Sequence, residues 1–179
     1  MSAAASCTEN AFAFPRNAST NSGSFFTSAK AGRFWKKAKR LDPNARGAPR
    51  LLAPAAGLFL SVSARGALAA LAIGPTPIGV DIEPDVAQTA PLLDVLHPRE
   101  REGGAPFLAL WTAKEAVVKA LGAGFNIDPA TLCITLQGTG FSATLDERPL
   151  LLSASATVVM RIGDTRLRAA CALMRAGTK

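Results

Sequence analysis

Four residues in this 179-residue chain have the types and spacing to handle phosphate: Asp81, Glu83, Glu115 and Lys119. Asp81 and Glu83 sit two apart in Ile78-Gly79-Val80-Asp81-Ile82-Glu83, where apolar residues alternate with the others. That is strand periodicity, so both carboxylates leave the same face, about 7 Å apart. Glu115 and Lys119 are four apart, which makes them neighbours on a helix. Taken alone, that second pair reads as a surface ion pair of a few tenths of a kcal/mol. Two unpaired acids on a strand face, joined by a third from a packed helix, would repel one another. A hard divalent cation relieves the repulsion, and oxygen ligands with open water positions suit Mg²⁺ and its phosphate substrates. The residues thus predict one metal shared by Asp81, Glu83 and Glu115, with Lys119 beside the phosphate.

The elements that must position them are readable. Pro77 and Pro84 bracket the acidic strand. Phe107 to Gly122, FLALWTAKEAVVKALG, predicts one amphipathic helix, with Pro106 at its start and Gly122 at the C-terminal cap position. Phe107, Leu110, Trp111, Val118 and Leu121 are its expected buried stripe, with Thr112, Glu115 and Lys119 on another face. Upstream, 58–63 and 67–73 predict two strands joined at Ala64-Arg65-Gly66. A short helix is expected near 91–96, then a turn at His97-Pro98. Beyond the long helix, strands are predicted at 131–136, 141–145, 150–159 and 167–173. They are expected to form an antiparallel sheet against which the helix buries Trp111 and Val118.

Composition narrows the class. The length fits one domain, and an apolar fraction of 49% is ample for a core. No run approaches the ~20 apolar residues of a membrane span. Cys7, Cys133 and Cys171 are odd in number, far apart and without metal-type spacing, which fits a reduced, cytoplasmic protein. With His97 the only histidine, a Ser/His/Asp or Cys/His mechanism has little to work with. Residues 1–29 are rich in Ala, Ser, Asn and Thr and read as a poorly ordered leader. Between 30 and 50 lie eight basic residues against Asp42 alone, equal to the whole-chain net charge of +7. Such a block serves as a solvated face or a polyanion site. Only Phe34 and Trp35 accompany it and no nucleic-acid module is recognisable, which argues against nucleic acid as the partner.

GVDIE followed by WTAKEAVVKALG resembles the paired signature of the 4'-phosphopantetheinyl transferase superfamily, a G-[IV]-D-x-E strand and then W-[ST]-x-K-E-[AS]-x-x-x-K on a helix. Gly79, Asp81, Glu83, Trp111, Thr112, Lys114, Glu115, Ala116 and Lys119 fill its fixed positions. The two-acid strand resembles the Sfp-like type, the activators of surfactin synthetase. Gly47, Pro49, Ser61 and Ser63 match in part the family's G-K-P-x-L and F-N-x-S-H-S segments, while Val62 replaces the histidine expected at the 3'-phosphate of coenzyme A. The 98–102 stretch resembles the S-P-x-E-x turn before the signature helix.

The resemblance implies an α+β fold, an antiparallel sheet packed on a long helix, built as two pseudo-duplicated α+β halves of which the first is reduced here. It divides the chain into a leader and basic segment over 1–45 and a transferase-like domain over 46–179. It implies an enzyme, a holo-[acyl-carrier-protein] synthase or 4'-phosphopantetheinyl transferase. Such an enzyme moves the phosphopantetheine arm of coenzyme A to a serine of an acyl- or peptidyl-carrier protein with Mg²⁺, releasing adenosine 3',5'-bisphosphate. Glu115 and Lys119 would be catalytic, and Asp81, Glu83 and Glu115 would hold metal. Ser61, Ser63, Arg65, Lys114 and Lys119 would bind coenzyme A, although Lys114 also fits a structural lysine on the Trp111 side. The alternative is a catalytically impaired member that only binds coenzyme A or the carrier protein.

Overall fold

The computed structural model describes residues 10–13, 24–28, 41–43, 49–51, 57–86 and 92–177. In chain order its elements are β1 (Asn10–Ala13), β2 (Ser24–Ser28), β3 (Leu41–Pro43), β4 (Pro49–Leu51), β5 (Phe59–Arg65), β6 (Leu68–Gly74), β7 (Ile78–Pro84), α1 (Pro98–Glu102), α2 (Phe107–Leu121), β8 (Leu132–Gln137), β9 (Gly140–Leu145), β10 (Arg148–Pro149), β11 (Leu152–Ile162) and β12 (Thr165–Met174). All pairings are antiparallel. They build sheets ordered β1-β2-β6-β5-β4-β3, β10-β9-β8 and β11-β12-β7.

The acidic strand β7 belongs to the central layer. It pairs with β12 from Leu167↔Pro84 to Leu173↔Ile78. Ile78, Val80 and Ile82 leave one face and meet Ala70 and Ala72 of β6 together with Leu167, Ala169, Cys171 and Leu173 of β12. The other face of the sheet carries α2, whose Ala113, Ala116, Val117 and Ala120 pack with Ala170, Ala172 and Met174. A sheet covered on both sides explains why a strand with two carboxylates is buried over its first five residues.

The helix falls where the spacing predicts. Gly122 closes it in the left-handed conformation (φ 61°), and its N–H returns to the carbonyls of Val118 and Lys119. Its buried surface is wider than the predicted stripe. Ala109, Ala113, Ala116 and Ala120 form a flat side that lets the helix backbone lie directly on β7. Trp111 and Phe107 are only half-buried and stack on each other, with ring centroids 6.4 Å apart. The expected burial of Trp111 is thereby corrected: the alanines take the place against the sheet.

Other expectations shift as well. The strands after α2 split between two sheets, because β7, from before the helix, completes the β11–β12 ribbon while β8 and β9 pair separately. The helix expected near 91–96 is a 3-10 turn at Leu93–Val95. The helical turn comes later, at α1, where His97 is the N-cap and Glu100 completes a capping box. Within residues 1–29 the described segments are β1 and β2, which pair with each other, and β2 pairs with β6. Before β7 the described residues are all strand and turn, so they do not display a second α+β half. The basic residues Lys30, Arg33, Lys36, Lys37, Lys39, Arg40 and Arg46, like Gly47, lie outside the described residues. No described helix is long and apolar enough to cross a membrane.

Candidate active site

Three elements meet around the acids. β7 supplies Asp81 and Glu83, α2 supplies Glu115 and Lys119, and β5 brings Ser61, Ser63 and Arg65 alongside. The outer edge of β7, the one turned away from β12, exposes alternate backbone groups that need partners. Two serines on β5 provide them at the same two-residue period. Val80 N–H donates to Ser61 Oγ (3.0 Å) and Ile82 N–H to Ser63 Oγ (3.3 Å). Lys119 Nζ takes the carbonyl oxygen of Val80 at 3.2 Å.

Asp81 is the centre of this arrangement and is fully buried. Its Oδ1 accepts from Ser63 Oγ and from Lys119 Nζ, each at 2.7 Å. Its Oδ2 is buried and has no hydrogen-bond partner among the described residues. Glu83 has both oxygens engaged by Arg65, through Nε at 2.8 Å and through Nη2. No hydrogen bond or ion pair ties Glu115 among the described residues. It nevertheless feels Asp81, Lys119, Arg65 and Glu83, which places it in the same cluster.

Burial dominates the titration of Asp81 and Glu115. It pushes the Asp81 carboxyl above its ordinary value despite the ammonium of Lys119 and the hydroxyl of Ser63. Burial, and then the negative charge of Asp81, raise that of Glu115. A carboxyl whose folded value is raised leaves the fold holding more protons than the unfolded chain. The stability it contributes is full below the unfolded value and is lost as pH rises through the folded one. Glu115→Gln removes that loss. Thermal melts in chelator should therefore show Glu115→Gln gaining on the wild type as pH rises from the acidic side to neutrality. A constant difference across that range would refute the shift. Ser63→Ala, which removes a donor to a buried charge, should cost about 2 kcal/mol in denaturant titrations.

The structure brings Asp81, Glu83, Glu115, Lys119 and Arg65 together, and it relocates three other expected site residues. Ser61 and Ser63 are buried and their oxygens accept from amides of β7, with Ser63 also donating to Asp81, so they brace Asp81 and its strand instead of facing coenzyme A. Lys114 is 1% exposed and lies on another side of α2. Its ammonium donates to Glu100 Oε2 and the Pro129 carbonyl, each at 2.7 Å, and to the Leu132 carbonyl. A buried ammonium with three acceptors has no capacity left for a phosphate, so Lys114 is a structural lysine. Its partner Glu100 also accepts from the amides of His97 (2.8 Å) and Ile134 (2.6 Å), which ties α1 and β8 to α2. Sequence spacing missed Glu100; the sign of it was an acid three residues after a capping His97.

The premise of two unpaired strand acids also changes, since Lys119 serves one and Arg65 the other. No group of three His, Cys, Asp or Glu side chains stands in metal-holding geometry among the described residues. The donor types still suit a hard cation: Asp81 Oδ2 is buried and unpartnered, the charges of Glu83 and Glu115 act on the Asp81 carboxyl, and two cationic side chains balance them. Asp81, Glu83 and Glu115 are the residues that could hold it.

The family model of the 4'-phosphopantetheinyl transferase superfamily matches residues 77–168. The match starts at the proline before β7, takes in α2 and reaches into β12. Among curated proteins no match is found. The matched span is more than half of the chain, and it contains the carboxylate cluster with the helix that backs it: the protein belongs to the 4'-phosphopantetheinyl transferase superfamily.

Proposed function

We propose that the protein transfers the 4'-phosphopantetheine arm of coenzyme A to a serine hydroxyl of an acyl- or peptidyl-carrier protein, as an Sfp-like member of its superfamily. The observation that carries this reading is Asp81. One of its oxygens is gripped by Ser63 and Lys119, the other is buried without a partner, and the charges of Asp81 and Glu115 act on each other. Glu83, the second acid of the strand, supports the Sfp-like assignment. The transferase domain is proposed to span residues 46–179, with the working compartment the cytoplasm.

Held by Asp81, Glu83 and Glu115, Mg²⁺ would supply positive charge to the diphosphate of coenzyme A. The chain's own residues do the rest. The serine oxygen attacks the phosphorus that carries pantetheine, and the bond from that phosphorus to the bridging oxygen breaks. Adenosine 3',5'-bisphosphate leaves with the electron pair. Lys119, fixed by Asp81 and the Val80 carbonyl, offers its remaining N–H to the phosphate oxygens as charge develops. Glu115 accepts the serine proton, and its raised pKa makes it a better base than an exposed carboxylate. Arg65 stands at the rim with a guanidinium suited to a phosphate.

Incubating the pure protein with coenzyme A, Mg²⁺ and apo carrier proteins, then weighing the carriers, tests the proposal. A phosphopantetheine mass increment is expected. Its absence across fatty-acid, polyketide and peptide carriers would favour the second reading, a member that binds without catalysing. Val62 supports that second reading, since an aliphatic side chain cannot make the contact expected of a histidine.

A further inference from the structure

We propose that Arg65 is a built-in placeholder cation, one that neutralises Glu83 until a divalent cation takes that carboxylate. The inference rests on the reading of Asp81, Glu83 and Glu115 as metal ligands. The three acids differ in what they must give up. Asp81 has Oδ2 unpartnered and Glu115 has no hydrogen bond or ion pair among the described residues. Glu83 alone has both oxygens occupied, by Nε and Nη2 of Arg65 in a two-pronged grip. Metal entry at Glu83 therefore competes with one identifiable side chain.

Arg65 is built to yield. It ends β5 at a two-residue loop, opposite Leu68, and the glycine that follows it adopts φ 58°. Its side chain is 43% exposed against 13% for Glu83, so the guanidinium can swing into water while the carboxylate stays. Its Nη1 holds the Ala64 carbonyl at 3.0 Å, a bond that water replaces at little cost. With Arg65 and Lys119 in place the five ionised groups sum to one negative charge, and without Arg65 to two. Its departure leaves the site more attractive to a doubly charged ion.

Mn²⁺ titrations of the full chain, followed by the electron paramagnetic resonance signal of the free ion, test this without relying on turnover. Arg65→Gln should bind Mn²⁺ about fivefold more tightly than the wild type, the scale of losing a competing half-exposed ion pair. Arg65→Lys keeps a charge but loses the two-pronged grip, so it should fall between them. Wild type and Arg65→Gln binding equally, or Arg65→Gln more weakly, would overturn the placeholder role alone. Should Arg65→Gln not fold, Arg65→Lys matching the wild type would do the same. If neither the wild type nor any variant bound Mn²⁺, the metal reading itself would fall and this inference with it.

Discussion

Gly79→Ala should destabilise the protein by more than about 4 kcal/mol, enough to leave little folded chain. The reason is not conformational, since Gly79 sits in ordinary strand geometry and pairs with Ala172. It is a matter of space. A Cβ there would overlap the carbonyl oxygen of Ala116 and lie 2.5 Å from the amide nitrogen of Ala120. Both obstacles are helix backbone, which no rotamer change can move. The helix would have to lift off β7, opening the layer in which Ala113, Ala116 and Val117 pack. Gly140→Ala is the matched control. Its new Cβ would make ordinary contacts, the nearest at 3.4 Å to Ser155 Oγ, and should cost less than about 1 kcal/mol. Equal denaturation midpoints for the two variants would refute the close approach.

Asp81→Asn should lower transfer by about 10²- to 10³-fold, the range for removing one preorganised electrostatic group. The side chain keeps its shape and an oxygen for Ser63 and Lys119 to bond. What it loses is the charge that fixes the Lys119 ammonium and that a cation would require. Stability should move the other way. Burial raises the Asp81 carboxyl, so ionising it costs more in the metal-free fold than in the unfolded chain, and a neutral amide escapes that cost. The expected signature is a metal-free melt at or above the wild type together with a collapse in carrier-protein mass conversion. Wild-type conversion rates in Asp81→Asn would show that the chemistry lies elsewhere.

How much of this could be read from the chain depends on whether neighbours in space were also neighbours in sequence. The alternation of Ile78, Val80 and Ile82 with Gly79, Asp81 and Glu83 is local, and the strand formed as that period demands. So did the helix, which Pro106 and Gly122 delimit on their own. The two lysines of that helix are five residues apart and leave it in different directions. Spacing alone could not tell which would meet acids of the site and which would meet Glu100, because Glu100 and the Leu132 carbonyl reach Lys114 only through the tertiary fold. Ser61 and Ser63 suited a ligand as well as a strand edge until β5 was seen beside β7. Arg65 could be placed at a turn, but not against Glu83, 18 residues away. The stripe of alanines on α2 carried a signal that the larger apolar residues masked, since small side chains mark where backbones approach.

The pairing of β7 with β12 has a consequence for how the molecule comes into being. Asp81 faces Ala170 across the ladder, 89 residues further along the chain. A growing polypeptide that has left the ribosome only as far as Leu151 carries every acid and base of the pocket but lacks the strand that anchors β7. Loop closure over that distance precedes any reward from the ladder, so this sheet forms among the later events of folding. The strand that carries Asp81 and Glu83 gains its ladder partner only when the β11–β12 ribbon docks.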